Sequence, residues 1–311
     1  MYRVVIWGNR EQYDLYVNKL KHEELKGSIK VEGIVSDDTY ISKFDDWKII
    51  EKSEIMDLNI DCVFVTSVDF YYEVTKQEIL SLNPNVQVLR ANILNIPLFD
   101  MERYMSLLNN KVSIIAHSCW AGLTYNSLYL PFDSPFINLS ISAEDYIKLL
   151  SDFNYYISLP LTKVRDRGVE GNPIGALGDV HIDFVHYSNF ETAKNIWNKR
   201  VSRINYDNLF VYMVLSNEEM AHQFSKLSIE KKYGFTSFPC DFQDVYEVKA
   251  FKESMEVKRV MGERRFSSYM NDQARRKLYD YDDELGNRGA KTVKVYDALK
   301  LLNGEKDFFR W

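Results

Sequence analysis

The chain has 311 residues, 46% hydrophobic and 27% charged, with a formal net charge of −6; this length favours two domains over one, and this balance suits a globular protein with a sizeable core. The negative charge argues against a general nucleic-acid binder, and no apolar run approaches the length of a membrane span. Three widely spaced cysteines, Cys62, Cys119 and Cys240, form neither a disulfide framework nor a zinc pattern, and the opening apolar run is too short for a signal-peptide core, so a cytoplasmic location is expected.

Residues 2–7 read as a strand ended by Gly8, 10–25 as a helix with Tyr13, Tyr16, Val17 and Leu20 inward, and 29–35 as a second strand leading to Ser36-Asp37-Asp38. Strands at 61–67 and 86–90 enclose a helix at 69–82. Alternation at this spacing builds a parallel sheet from right-handed βαβ units, a Rossmann-like α/β domain over 1–97 with its boundary near Pro97. Such sheets bind ligands beyond their strand carboxyl ends, at the switch in strand order. Gly8 and Asp37 are the cofactor-contact candidates there, since an acid after the second strand can accept from ribose hydroxyls. The glycine pattern opposes this reading: where a dinucleotide fingerprint needs G-x-G-x-x-G, Gly8 is followed by Asn9, Arg10, Glu11 and Gln12. A degenerate domain used for packing, or for positioning a partner, is the alternative.

The remainder, 98–311, reads as a second, larger α/β domain. A helix follows Pro97, and a strand at 112–116 runs into His117-Ser118-Cys119, with a short helix expected at 123–130. A cysteine at a strand-to-helix turn lies near helix-terminal N–H groups that stabilise thiolate, and His117 could add to that; a buried small hydrophobe is the bland reading. Residues 142–155 form a helix behind a capping-box-like start. Pro173, Gly175 and Gly178 mark a tight turn, after which Asp179, His181 and Asp183 share one strand face, opposite Val180, Ile182 and Phe184. A helix beginning at a second capping box, 188–191, carries Arg200 and Arg203, which at i,i+3 could hold a phosphate or carboxylate. Strands at 209–215 and 234–238 flank a helix ending near Leu227. Past Asp241 the pattern weakens to a strand at 245–251, a Lys- and Arg-dense stretch at 258–277 and a helix at 292–302 before Gly304.

Three readings of His181, Asp183 and His186 compete: metal ligands, a general acid/base pair, or a structural hydrogen-bond cluster. The metal reading suffers because the two histidines point to opposite faces of a regular strand. Combining stretches gives a sharper arrangement, with Cys119 as nucleophile, His186 or His181 as base and Asp179 as its orienter.

The blocks A-H-S-C-W-A-G, L-P-F-D-S-P-F, P-I-G-A-L-G-D-V-H-I-D-F-V-H-Y, W-N-K-R-V-S-R-I-N-Y-D-N-L-F-V and Y-D-A-L-K-L-L-N-G resemble, in that order, a bacterial exopolysaccharide (capsular polysaccharide) biosynthesis family, a domain of unknown function. The resemblance covers about 107–304, and Cys119, Asp179, His186, Arg200, Arg203, Asp207 and Asn208 are its matching polar positions. It implies a role in assembling or decorating cell-surface polysaccharide. The expectation is a transferase acting on an activated sugar, nucleotide-linked or lipid-linked, with glycosyl and acyl transfer not separable. Cys119, Asp179 and His186 would lie at the reacting centre, and Arg200 and Arg203 near phosphate. A non-catalytic sugar-nucleotide-binding or assembly factor is the alternative.

Overall fold

A computed structural model describes residues 1–36, 43–67, 69–167, 171–248 and 296–309. Asp37 and the basic stretch 258–277 lie outside the described residues. The chain divides into two units, Met1–Met105 and Ser106–Trp311.

In the first unit the chain runs β1 (Tyr2–Trp7), α1 (Arg10–Asp14), α2 (Val17–Leu25), β2 (Ile29–Val35), β3 (Lys43–Phe44), β4 (Trp47–Lys48), β5 (Cys62–Val65), α3 (Asp69–Leu82) and β6 (Gln87–Arg90). A four-stranded sheet of order β2-β1-β5-β6 is parallel throughout, the Rossmann-like arrangement, with its switch between β1 and β5. Its strands are apolar because the sheet is buried: Val4, Val5, Ile6, Val63, Phe64 and Val65 are all fully enclosed. The single helix expected over 10–25 is two helices. Tyr13 and Tyr16 are both drawn inward, their hydroxyls donating to Asp45 (2.8 Å) and Asn92 (3.0 Å), and the chain unwinds at Leu15 and Tyr16. Tertiary hydrogen bonds outweigh helix continuity here.

The second unit follows α4 (Met101–Asn109) with β7 (Ser113–Ala116), α5 (Trp120–Ser127), α6 (Ala143–Ser151), α7 (Phe153–Ser158), β8 (Thr162–Arg167), β9 (Asn172–Leu177), β10 (Val180–Asp183), α8 (Phe190–Val201), β11 (Leu209–Val214), α9 (Glu218–Ser225), β12 (Lys232–Thr236), β13 (Val245–Glu247) and α10 (Ala298–Asn303). It holds a parallel sheet, β13-β12-β11-β7, and an antiparallel one, β10-β9-β8. β11 is apolar on both faces. Val211 and Met213 join Tyr146, Trp197 and Phe224 in one core, while Tyr212 stacks on Trp120 of α5 at 4.1 Å and Phe210 on Tyr233 at 5.0 Å.

Three expectations are corrected by local geometry. The helix over 142–155 breaks at Asp152 (φ −141°, ψ 65°), whose carboxylate accepts from Tyr155 N–H and starts α7. The helix placed at 123–130 begins at Trp120, directly after Cys119. The turn expected across 172–178 is mostly strand β9; only Gly178 and Asp179 turn, with Leu177 paired to Val180 and Gly178 at φ +60°, a conformation glycine adopts without a Cβ penalty.

Candidate functional site

β7 delivers the chain to the carboxyl edge of the parallel sheet, where α/β proteins place their ligands. Its continuation, His117, is buried. The ring packs on Tyr146 and Tyr212, and Nε2 accepts from Val214 N–H at 3.2 Å. An accepting Nε2 assigns the proton to Nδ1. Burial pushes the ring's pKa down to about 4, so His117 is neutral near pH 7 and lends no positive charge to Cys119, contrary to expectation.

Cys119 is the N-cap residue of α5 and is partly exposed. The first N–H groups of a helix have no intrahelical partner and carry partial positive charge, which favours an anion at that end. Facing the thiol is His186, with Nε2 3.6 Å from Sγ across 67 residues of sequence. The turn carrying His186 is held on both sides. Phe184 is buried against Trp197, and its N–H bonds Pro173 O. The Tyr187 hydroxyl donates to Ile137 O (3.2 Å) and accepts from Arg200 Nη1 (3.0 Å). Two buried aromatic anchors therefore fix an exposed imidazole.

Asp179 is not brought to this pair. It is the second turn residue at the far end of β10, and the strand Val180–Asp183 followed by the turn closed by Tyr187 N–H on Phe184 O separates it from His186. Its carboxylate accepts from Lys148 Nζ (3.1 Å) and Tyr156 OH (3.0 Å), which hold its pKa below the usual range. Among the described residues no carboxylate hydrogen-bonds His186, so the arrangement is a thiol–imidazole dyad.

His181 and Asp183 share a face of β10, as their alternation requires, but that face belongs to a different place. The His181 N–H donates to Asp145 Oδ2 (3.1 Å), and its ring Nδ1 lies 3.6 Å from the same oxygen. Asp183 forms a backbone bridge with Ser140. With Arg165 and Asp145 they border a groove of about 510 Å³. Among the described residues no three His, Cys, Asp or Glu side chains gather as a metal site.

Arg200 and Arg203 do not form a helical pair. Arg203 lies past the end of α8, its Nη1 donating to Phe132 O, while Arg200 bonds Tyr187 and lies 5.2 Å from the Phe132 ring. Both engage the segment around Phe132. In the N-terminal sheet, a Cβ on Gly8 would fall 1.8 Å from Thr66 Oγ1, and the Asn9 side chain accepts from Gln12 N–H at the start of α1. The need for glycine at position 8 therefore comes from the residue after β5, at the switch in strand order.

Sequence reasoning missed Asp145 and Arg165. Asp145 stands where helices ordinarily carry an acid in the first turn, which gave it no separate signal. Arg165 lies on β8, whose sequence TKVRDR carries a single apolar residue and so no strand alternation.

Among the described residues no helix is long and apolar enough to cross a membrane. A family model described as a domain of unknown function (DUF1919) matches residues 91–281, a span that includes the dyad and the groove. A model described as C2185-like, N-terminal, matches residues 1–87. A bacterial relative, an uncharacterized protein of Haemophilus influenzae, is 32% identical over 155 residues, which is 49% of this chain and 74% of that protein.

Proposed function

The chain belongs to the DUF1919 family, and on that premise we propose that it is a transferase of cell-surface polysaccharide assembly, passing a group between an activated sugar and an acceptor through Cys119. The observation that carries the reading is the 3.6 Å contact between Cys119 Sγ and His186 Nε2 at the start of α5. The polysaccharide context rests on the resemblance of the sequence blocks around these residues.

In this mechanism His186 takes the thiol proton, and the thiolate attacks the activated carbon of the donor. The new bond to sulfur forms as the bond to the leaving group breaks, and the imidazolium returns its proton to the leaving group. The acceptor hydroxyl then loses its proton to His186 and attacks the same carbon, releasing the thiolate. Thioesters are reactive intermediates whereas thioglycosides are inert, so a cysteine nucleophile favours acyl over glycosyl transfer. The helix-start N–H groups stabilise negative charge on sulfur throughout.

The test reads the thiol and the transfer separately. Iodoacetamide labelling, followed by peptide mass spectrometry, should alkylate Cys119 at pH 7 about tenfold faster than the same residue in His186→Gln. Incubation with acyl-CoA esters and nucleotide sugars should leave a covalent adduct on Cys119 that Cys119→Ala lacks. Equal alkylation rates, or full transfer activity in Cys119→Ala, would sink the mechanism. The competing reading, a non-catalytic sugar-nucleotide-binding or assembly factor, draws support from Thr66 packed over Gly8 where a phosphate would approach; turnover by the purified chain would exclude it.

A further inference from the structure

We propose that the groove between β8, β10 and the start of α6 is a binding site for a sugar ring that carries an anionic group. The site goes beyond the thiol reading and does not depend on it. It is built by an irregularity in the sheet. Lys163 pairs with Gly175 and Arg165 with Ile174, so Val164 is an extra residue and the register slips. In a regular strand Val164 and Arg165 would face opposite sides; a bulge sets two residues against one and re-aims a side chain. Both line the groove, together with Ile174 across the strand and Asp183 beyond it.

The lining chemistry selects the ligand. Arg165 forms no hydrogen bond or ion pair among the described residues, so its planar guanidinium is available for bidentate contact with a carboxylate or phosphate. The Asp145 carboxylate can accept from hydroxyls, and its placement beside a cation favours a ligand bearing both kinds of group. Val164, 46% exposed, and Ile174 present apolar surface to the C–H face of a ring. His181 closes one side, its backbone N–H tied to Asp145 at 3.1 Å, which holds that wall before any ligand arrives. The volume, about 510 Å³, falls in the roughly 300–1,000 Å³ range of small-molecule sites. The same wall segment also reaches the end of β7: Ile141 N–H donates to His117 O at 2.9 Å, two residues before Cys119.

Saturation-transfer NMR on the full chain, with glucuronate, glucose 6-phosphate and glucose as probes at millimolar concentration, tests the assignment. Ring protons of at least one anionic probe should be saturated, and glucose much less. A response to glucuronate alone identifies a sugar acid, and one to glucose 6-phosphate alone a sugar phosphate. Arg165→Ala, on an exposed strand position, should weaken the anionic probe about tenfold, and Asp145→Asn should weaken all hydroxylated probes. Circular dichroism checks that both variants fold. Cys119→Ser should bind as the native chain does, which separates this site from the thiol mechanism. Absence of saturation with either anion, or saturation unchanged in Arg165→Ala, overturns the proposal.

Discussion

His117 and Cys119 stand two residues apart and meet opposite environments. The imidazole is enclosed by Tyr146 and Tyr212, and burial disfavours its charged form, which pushes its pKa down to about 4. An unfolded chain protonates histidine near pH 6.5. The folded state thus binds fewer protons between those values, and the stability from neutral His117 is complete above about pH 6.5 and lost as pH falls toward about 4, roughly 3 kcal/mol in all. Urea unfolding at pH 7 and 4.5 should show that loss, and His117→Gln, which keeps an acceptor for Val214 N–H, should flatten it by about 2–3 kcal/mol. An unchanged pH slope in that variant would place the acid sensitivity elsewhere. At this scale the sequence showed that a histidine lay near the cysteine, but burial, which settles its charge, comes from chain segments far away.

Elements are where local pattern speaks most reliably. β2 spans Ile29–Val35 and α3 spans Asp69–Leu82, both as their periodicity predicts. The starts of α8 and α9 are set by Asn189 and Asn217, whose side chains accept from Thr192 and Met220 N–H. The cap of α8 thus lies one position past the start of the expected 188–191 box, at the Asn whose amide oxygen reaches the first-turn N–H. The first turn of the N-terminal sheet makes a sharper statement. Thr66 Oγ1 donates to Trp7 O at 3.2 Å and occupies the space a Gly8 Cβ would need. Gly8→Ala should therefore destabilise by about 1–3 kcal/mol, the range for overpacking a core site. Adding Thr66→Ala should recover part of that loss in urea unfolding. No recovery would mean that position 8 needs glycine for another reason.

On the scale of the whole chain, residues from its last stretch complete the second unit's core. Phe308 is fully buried and packs against Tyr246 at 5.1 Å, Tyr233 at 5.5 Å and Phe235 at 6.1 Å. Asp297 N–H donates to Phe308 O at 2.7 Å and Tyr296 bridges Phe309, which closes the segment on itself and holds the Phe308 ring in place. Phe308→Ala should cost about 3–5 kcal/mol, as large-to-small aromatic substitutions in cores do. Hydrogen exchange in Lys232–Thr236 should accelerate accordingly; protection left intact there would show that the segment adds little to the sheet.

What the amino-acid order determined alone was local: a parallel sheet in the first hundred residues, a second α/β region after it, a cysteine at a strand-to-helix turn, and His181 with Asp183 on one strand face. Each depends on residue periodicity or on turn and cap chemistry within a few positions, where neighbours along the chain are neighbours in space. Only the tertiary structure decided which of these groups meet. The two-residue turn at Gly178 and Asp179 sends Asp179 to one end of β10, leaving His186 at the other, beside a cysteine 67 residues earlier. The slip at Val164 turns Arg165 toward His181 and Asp183. Both results follow from strand register, and a shift of one residue would reverse every side chain in the strand.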